Sequence, residues 1–121
     1  MSNVLLATDA DQLFDEVVAA LGASHDIHRV REGSLVSEVM EGVDPELVIL
    51  DLQIGNMGGV ATSILIKQEA RAGRLPHAPV LLLLDRAADE FLATESDADG
   101  WITKPLDALR LRRAANELLD A

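Results

Sequence analysis

Two aspartates and one lysine are the residues of this sequence with the clearest capacity for chemistry. Asp9, Asp51 and Lys104 each come shortly after a short apolar run. Aspartate carboxylates, together with a backbone carbonyl such as that of Gln53, are the hard oxygen ligands that Mg²⁺ prefers. An aspartate can also accept a phosphoryl group covalently, and a lysine can neutralise the charge of that group. The three side chains therefore predict a site for magnesium and phosphoryl chemistry, provided that the fold brings them together.

Apolar runs that alternate with segments of helical spacing must position this site. Strands are predicted at residues 4–7, 25–31, 47–50, 79–84 and 100–103, and helices at 13–21, 35–40, 60–72, 87–93 and after Pro105. This alternation predicts an α/β fold with a parallel sheet covered on both faces. The carboxyl ends of parallel strands share one edge of the sheet, which is where such folds bind ligands. Asp9, Asp51 and Lys104 are therefore expected to meet there, beside Thr8, Leu84 and Asp85.

Each predicted helix is expected to bury one apolar face against the sheet. The first helix is expected to end at Gly22 and the second before Gly42. The residues predicted to point inward are Leu13, Phe14, Val17, Val18 and Leu21 in the first helix, Leu35, Val36, Val39 and Met40 in the second, Ile64 and Leu65 in the third, and Leu109, Leu118 and Leu119 in the last.

Composition limits the classes of function. The 121 residues carry a formal net charge of −11 and no cysteine. The negative charge disfavours direct binding to nucleic acid or to an anionic membrane, and the lack of cysteine excludes disulfides, a thiol nucleophile and thiolate metal sites. The N-terminus has no secretory signal pattern, and the apolar runs are too short to span a bilayer. A cytoplasmic protein with one domain, residues 1–121, is expected.

Four segments together resemble the receiver domain of two-component response regulators. They are VLLATD near the N-terminus, DLQIGNMGGV from Asp51 to Val60, APVLLLL, and ADGWITKP ending at Pro105. The resemblance covers essentially the whole chain. It implies the flavodoxin-like (βα)5 fold, a doubly wound, parallel five-stranded sheet in the order 2-1-3-4-5. By position it also implies that Asp51 is the phosphoacceptor, that Lys104 is the site lysine and that Trp101 is the aromatic switch residue.

Four positions depart from the pattern of that family. Thr8 stands where the family usually has the first of two adjacent acids, and Gly55 stands where it usually has a proline. Leu84 replaces a threonine or serine and can donate no hydrogen bond, so the usual hydroxyl–aromatic switch is not expected to operate. Asp85 replaces a very small residue and is expected to crowd the site and repel a phosphoryl group, unless Lys104 pairs with it.

Structural roles compete with the functional ones. Asp9 precedes a predicted helix and could cap its N-terminus. Lys104 could pair with Asp51 or Asp85 in a salt-bridge cluster that only stabilises the sheet edge. Trp101 could be a half-buried surface residue. The sequence leaves these alternatives open.

The resemblance implies a signalling module rather than an enzyme. In the first hypothesis, Asp51 takes a phosphoryl group from a histidine kinase or a phosphotransfer protein in a phosphorelay. The fourth helix, fifth strand and fifth helix then contact a downstream protein or a second copy of the chain. In the alternative, a pseudo-receiver binds or dimerises independently of phosphorylation. An aspartyl-nucleophile phosphatase is disfavoured, because Gln53 occupies the position where those enzymes carry a second aspartate.

Overall fold

Five parallel strands form the central sheet of the computed structural model, which describes residues 2–120. The strands are β1 (Ser2–Ala7), β2 (His25–Val30), β3 (Leu47–Asp51), β4 (Val80–Leu84) and β5 (Gly100–Thr103). Their order in the sheet is β2-β1-β3-β4-β5, and every neighbouring pair is parallel. The flavodoxin-like order expected from the sequence is thus confirmed. Met1 and Ala121, the two ends of the predicted domain, lie outside the described residues.

Helices follow each strand and cover both faces of the sheet. They are α1 (Asp11–Leu21), α2 (Val36–Val43), α3 (Gly59–Arg71), α4 (Glu90–Glu95) and α5 (Ala108–Leu119). Short 3₁₀ turns at Gly33–Leu35 and Ala87–Asp89 precede α2 and α4. In the part of the chain that the structure describes, no helix has the length and apolar character needed to cross a bilayer.

Two hydrophobic clusters, one on each face, hold the helices to the sheet. Residues of β1, β3 and β4 alternate between them: Leu6, Ile49 and Leu83 pack on the side of α1 and α5, whereas Leu5, Leu50 and Leu84 pack on the side of α2, α3 and α4. All six side chains are fully buried. Burying a leucine stabilises a fold by roughly 1.5–3 kcal/mol. The unbroken apolar runs of these strands are thus explained by burial on both faces.

Several predicted core positions in the helices were wrong. Val18, Leu35 and Leu109 are 37%, 39% and 49% exposed, and Ile64 and Leu65 are only partly buried. Leu118 and Leu119 contact the core from its margin. Gly42 lies inside α2 rather than beyond its end. The buried helix positions that the sequence analysis did not identify are Ala20 in α1, Gly59, Thr62, Ser63, Ile66 and Ala70 in α3, Ala93 in α4, and Leu111 and Ala115 in α5.

The buried face of α3 shows why the apolar pattern misled. Thr62 and Ser63 are fully buried, and their hydroxyl groups donate to the backbone oxygens of Met57 at 3.1 Å and Ser96 at 2.8 Å. A buried hydroxyl with a hydrogen-bond partner carries little penalty. These small side chains are therefore fully buried, while the larger Ile64 and Leu65 are only partly buried.

The two edge strands differ in character from the three central ones. β2 carries His25, Asp26, His28 and Arg29 among its six residues. β5 has only four residues, of which Trp101 is 37% exposed. The central strands carry unbroken apolar runs at residues 4–7, 47–50 and 80–84, and their polar residues Ser2, Asn3 and Asp51 lie at the strand ends.

Candidate functional site

The carboxylate of Asp51 lies at the carboxyl end of β3, where its side chain is only 3% exposed. Its Oδ1 accepts hydrogen bonds from the backbone N–H of Gln53 at 3.1 Å and from Lys104 Nζ at 2.6 Å. Its Oδ2 accepts one from the Thr8 hydroxyl at 2.8 Å. A buried carboxylate is tolerated only when its charge is paired and its oxygens are hydrogen-bonded. Both conditions are met at Asp51.

Lys104 joins Asp51 to a second carboxylate. Its Nζ lies 2.9 Å from Asp85 Oδ1, and the Gln53 side-chain amide donates to Asp85 Oδ2 at 2.8 Å. The five residues Thr8, Asp51, Gln53, Asp85 and Lys104 form the edge network. Lys104 therefore does pair with Asp85, which is the condition under which Asp85 was expected to be accommodated. The salt-bridge cluster considered as the structural alternative for Lys104 is also present.

Contacts in the edge network favour the charged forms of Asp85 and Lys104. Burial acts to raise the pKa of Asp85, but hydrogen bonds from Lys104 and Gln53 and the charges of Lys104 and Arg86 outweigh it, so that pKa lies below its ordinary value. Burial likewise acts to lower the pKa of Lys104, but Asp51 and Asp85 outweigh it, and this pKa lies above its ordinary value. At neutral pH the lysine is therefore a cation between carboxylates.

Asp9 reaches the loop after β3 rather than the start of α1. Its Oδ2 accepts a hydrogen bond from the Gly55 backbone N–H at 3.2 Å. The residue before α1 is Ala10, which makes no side-chain capping bond, and the Ala10 N–H donates instead to the Thr8 hydroxyl at 3.1 Å. The capping role considered for Asp9 was therefore wrong. The exposed Asp9 carboxylate is held beside the loop that follows Asp51.

The oxygen atoms at this edge fit Mg²⁺ in kind. Asp9 and Asp51 supply carboxylates, and the backbone carbonyl of Gln53 lies two residues beyond Asp51; these are hard ligands suited to the ion. Within residues 2–120, no three His, Cys, Asp or Glu side chains converge as a metal site. Mg²⁺ held here would therefore depend on the two carboxylates, the carbonyl and water, and a metal bond to Asp51 would compete with the hydrogen bonds that its oxygens accept.

The chain is similar to known proteins in sequence and in structure. No family model matches the chain. The chain is 31% identical over 108 residues to the sensory transduction protein BceR of Bacillus subtilis strain 168, a match that covers 87% of this chain and 44% of that protein. It is 27% identical over 119 residues to the nitrate/nitrite response regulator protein NarL of Escherichia coli K12, which covers 96% of this chain and 54% of NarL.

A solved structure shares the fold of this chain. The signal receiver domain of a signal transduction histidine kinase from Syntrophus aciditrophicus matches with a TM-score of 0.87 and 24% identity, over 99% of this chain and 91% of that one. The chain is a receiver-like domain, homologous to those of response regulators. It spans about half the length of the named relatives that it matches.

Leu84 separates this receiver-like domain from the pattern that its sequence resembles. The side chain is fully buried and belongs to the cluster on the side of α2, α3 and α4. It pairs in register with Thr103 on β5, and its neighbour Leu82 pairs with Trp101. Leucine has no donor to offer a ligand. Trp101 is partly exposed, as expected for a half-buried surface residue.

Arg29 is a residue of the receiver-like domain that the sequence analysis missed. It is 12% exposed, and its Nε donates to the backbone oxygen of Thr8 at 3.1 Å. Its Nη1 pairs with Asp11 at 2.9 Å, and its guanidinium lies 4.9 Å from the centre of the Phe14 ring. Arg29 thus fixes the backbone of the residue whose hydroxyl contacts Asp51. The sequence offered only an arginine on a weak strand, since its reach depends on the register between β1 and β2.

Gly33 is the second missed residue, and it holds the loop that follows Asp51. The backbone N–H groups of Gly33 and Ser34 donate to the oxygens of Gly55 at 3.0 Å and Asn56 at 2.7 Å. A Cβ atom on Gly33 would lie 1.7 Å from the Met57 backbone oxygen. Only glycine permits so close an approach between the two loops. The loop after β2 therefore supports the loop that carries Gln53 and Gly55.

Proposed function

We propose that this receiver-like domain is a signal-transduction module that accepts a phosphoryl group on Asp51. The observation that supports the proposal is the buried Asp51 carboxylate, with Lys104 at 2.6 Å, at the carboxyl edge of a parallel sheet. That edge is where doubly wound folds bind ligands. The names of the relatives, a sensory transduction protein and a nitrate/nitrite response regulator, support the same reading.

The proposed reaction is nucleophilic attack by one Asp51 oxygen on the phosphorus of a phosphohistidine or an acyl phosphate. The new bond joins that oxygen to phosphorus, and the bond from phosphorus to the donor breaks, with its electron pair leaving on the donor. Lys104 neutralises charge on the phosphoryl oxygens. Asp9, Asp51 and the Gln53 carbonyl would hold Mg²⁺, which when bound supplies further charge neutralisation.

The donor in this proposal is a histidine kinase or a phosphotransfer protein. The activity is that of a signalling module rather than of an enzyme. A cytoplasmic location is part of the proposal, and the cysteine-free composition supports it.

Phosphorylation of Asp51 is tested by incubating the protein with acetyl phosphate and Mg²⁺ and measuring intact mass. We expect a gain of one phosphoryl group that is absent from Asp51→Asn and retained by Asp26→Asn. Asp26 is an exposed acid on β2, so its variant makes the same charge change away from the site. A wild-type protein that gains no mass, or an Asp51→Asn variant that gains as much, would contradict the proposal.

A phosphorylation-independent pseudo-receiver is the second candidate function. It is favoured by the buried Leu84, which cannot bond a phosphoryl group. An unlabelled wild-type protein that still binds its partner would support this candidate over the first.

We propose that α4, β5 and α5 form the contact surface for other proteins. Each of the three elements exposes one large apolar side chain: Phe91 is 65%, Trp101 37% and Leu109 49% exposed. Exposed apolar side chains that recur on neighbouring elements are typical of protein contact sites. The exposed Glu90 of α4 and Arg110 of α5 add charges of both signs. Such a surface can complement itself about a two-fold axis, so a second copy of the chain is the favoured occupant.

Phe91→Ser is expected to abolish dimerisation while changing the free energy of unfolding by less than about 0.5 kcal/mol, because the side chain is mostly exposed. Sedimentation velocity over a range of concentrations, with and without acetyl phosphate and Mg²⁺, measures the association. Val18→Ser is the matched control, since Val18 is an exposed apolar residue on α1. A wild-type protein that stays monomeric under both conditions, or equal losses in the two variants, would argue against the surface.

A further inference from the structure

We infer that Asp85 is a built-in competitor of the phosphoryl group, occupying the lysine that an incoming phosphoryl oxygen must contact. Phosphorylation of Asp51 then requires Asp85 to leave Lys104. The inference rests on the function proposed for Asp51 and describes how that same site is regulated.

Asp85 is held in place at both of its oxygens. Oδ1 lies 2.9 Å from Lys104 Nζ, and Oδ2 accepts the Gln53 amide at 2.8 Å. The same lysine contacts Asp51 Oδ1 at 2.6 Å, so the two carboxylates flank one ammonium group. A phosphoryl group on an Asp51 oxygen would place its own anionic oxygens beside that ammonium. Asp85 already makes the contact that those oxygens need.

The charges of the edge network favour competition over coexistence. Two carboxylates share one lysine in the network, so its net charge is negative before any phosphoryl group arrives. A phosphoryl group on Asp51 replaces one carboxylate charge with a larger negative charge beside the same cation. Like-charge repulsion from Asp85 opposes this change, and it is strong where water is largely excluded. Arg86, the next cation along the chain, has its guanidinium near Asp89 at 3.5 Å and a side chain that is 77% exposed. It cannot replace Lys104 as a buried partner for a phosphoryl oxygen.

Asp85 also has a route out of the site. Its side chain is 29% exposed, and it stands between the end of β4 and the 3₁₀ turn at Ala87–Asp89. Rotation of the side chain into solvent would replace the bonds to Lys104 and Gln53 with bonds to water. The carboxylate would keep its charge during this movement. Asp85 therefore leaves Lys104 by a change of side-chain rotamer, and the strand stays in place.

Replacement of Asp85 should speed phosphorylation of Asp51. In acetyl phosphate and Mg²⁺, followed by intact mass, Asp85→Ala should label at least about tenfold faster than wild type. Asp85→Asn, which keeps the shape but loses the charge, should also label faster. Asp26→Asn, which removes one exposed negative charge elsewhere, should label at the wild-type rate. A thermal unfolding curve for each variant confirms that it is folded, and Asp85→Asn carries the test if Asp85→Ala does not fold.

A second measurement distinguishes failure of the Asp85 competition from failure of the proposed phosphorylation of Asp51. Beryllofluoride with Mg²⁺ is titrated into each protein and binding is followed by amide chemical shifts. If wild type labels and the Asp85 variants label no faster, the inference that Asp85 competes for Lys104 is overturned and the proposed function stands. If no protein labels, the phosphoacceptor function fails, and beryllofluoride binding then tests whether Asp85 competes for Lys104. Tighter binding by Asp85→Ala would support competition at Lys104, whereas unchanged binding would overturn it.

Discussion

The Lys104→Met variant will have a free energy of unfolding about 3 kcal/mol below that of the wild type. Removing the ammonium leaves Asp51, whose side chain is 3% exposed, without its cation. Thr8 and the Gln53 N–H still donate to Asp51, but the charge is then uncompensated in a site that water barely enters. Equilibrium unfolding in urea at pH 7 measures the difference.

Two further variants show whether the buried charge is the cause. Lys104→Met combined with Asp51→Asn should recover much of the loss, because the double variant has no unpaired charge at that position. Lys67→Met removes a lysine of similar burial, but its partner Asp99 is 38% exposed, so a loss below about 1 kcal/mol is expected. Equal losses in Lys104→Met and Lys67→Met would refute the explanation.

Alanine at Gly33 and at Gly42 will change stability in opposite directions. A Cβ on Gly33 meets the Met57 oxygen at 1.7 Å and the Thr62 hydroxyl oxygen at 2.6 Å. One of the two loops must therefore move, at a cost of about 3 kcal/mol. A Cβ on Gly42 has no atom within 4 Å among its surroundings, and the residue lies within α2. Alanine there should stabilise the helix by roughly 0.5–1 kcal/mol.

Thermal and urea unfolding of Gly33→Ala and Gly42→Ala show whether the two free energies of unfolding change in opposite directions. Gly33→Ala should also label more slowly with acetyl phosphate, because the displaced loop carries the Gln53 N–H that bonds Asp51. A Gly33→Ala variant as stable as wild type would show that the two loops are not in close contact.

The strands and the meeting of Asp51 with Lys104 could be predicted from the residue pattern, whereas the order of the strands was implied by the resemblance to receiver domains. Unbroken apolar runs identify strands buried on both faces, and polar residues at their carboxyl ends then share one edge whatever the details of the loops. The sequence analysis also names pairing of Lys104 with Asp85, as the condition under which Asp85 can be accommodated. The two residues follow neighbouring strands.

The contacts that refine the site could not be predicted, because they depend on loop geometry and register. The bond from Thr8 to Asp51 and the bond from Gly55 to Asp9 join residues 43 and 46 positions apart. The sequence analysis considers the backbone carbonyl of Gln53 as a metal ligand and does not identify the bonds that its backbone N–H and side-chain amide donate to Asp51 and Asp85. The buried faces of the helices were predicted wrongly for another reason. Apolar periodicity places leucine in the core in preference to serine, whereas Ser63 is buried because its hydroxyl bonds a backbone oxygen.

The polar β2 and the four-residue β5 have a consequence for behaviour at high concentration. An outer strand exposes unpaired backbone groups and can template the addition of a strand from another molecule. The charged and imidazole side chains of β2 oppose such stacking, and β5 offers too short a ladder to propagate it. The apolar inner strands, which would be the most prone to form fibrils if released, are each paired on both sides. The sheet is thereby protected against edge-to-edge aggregation, while association through helical surfaces stays open.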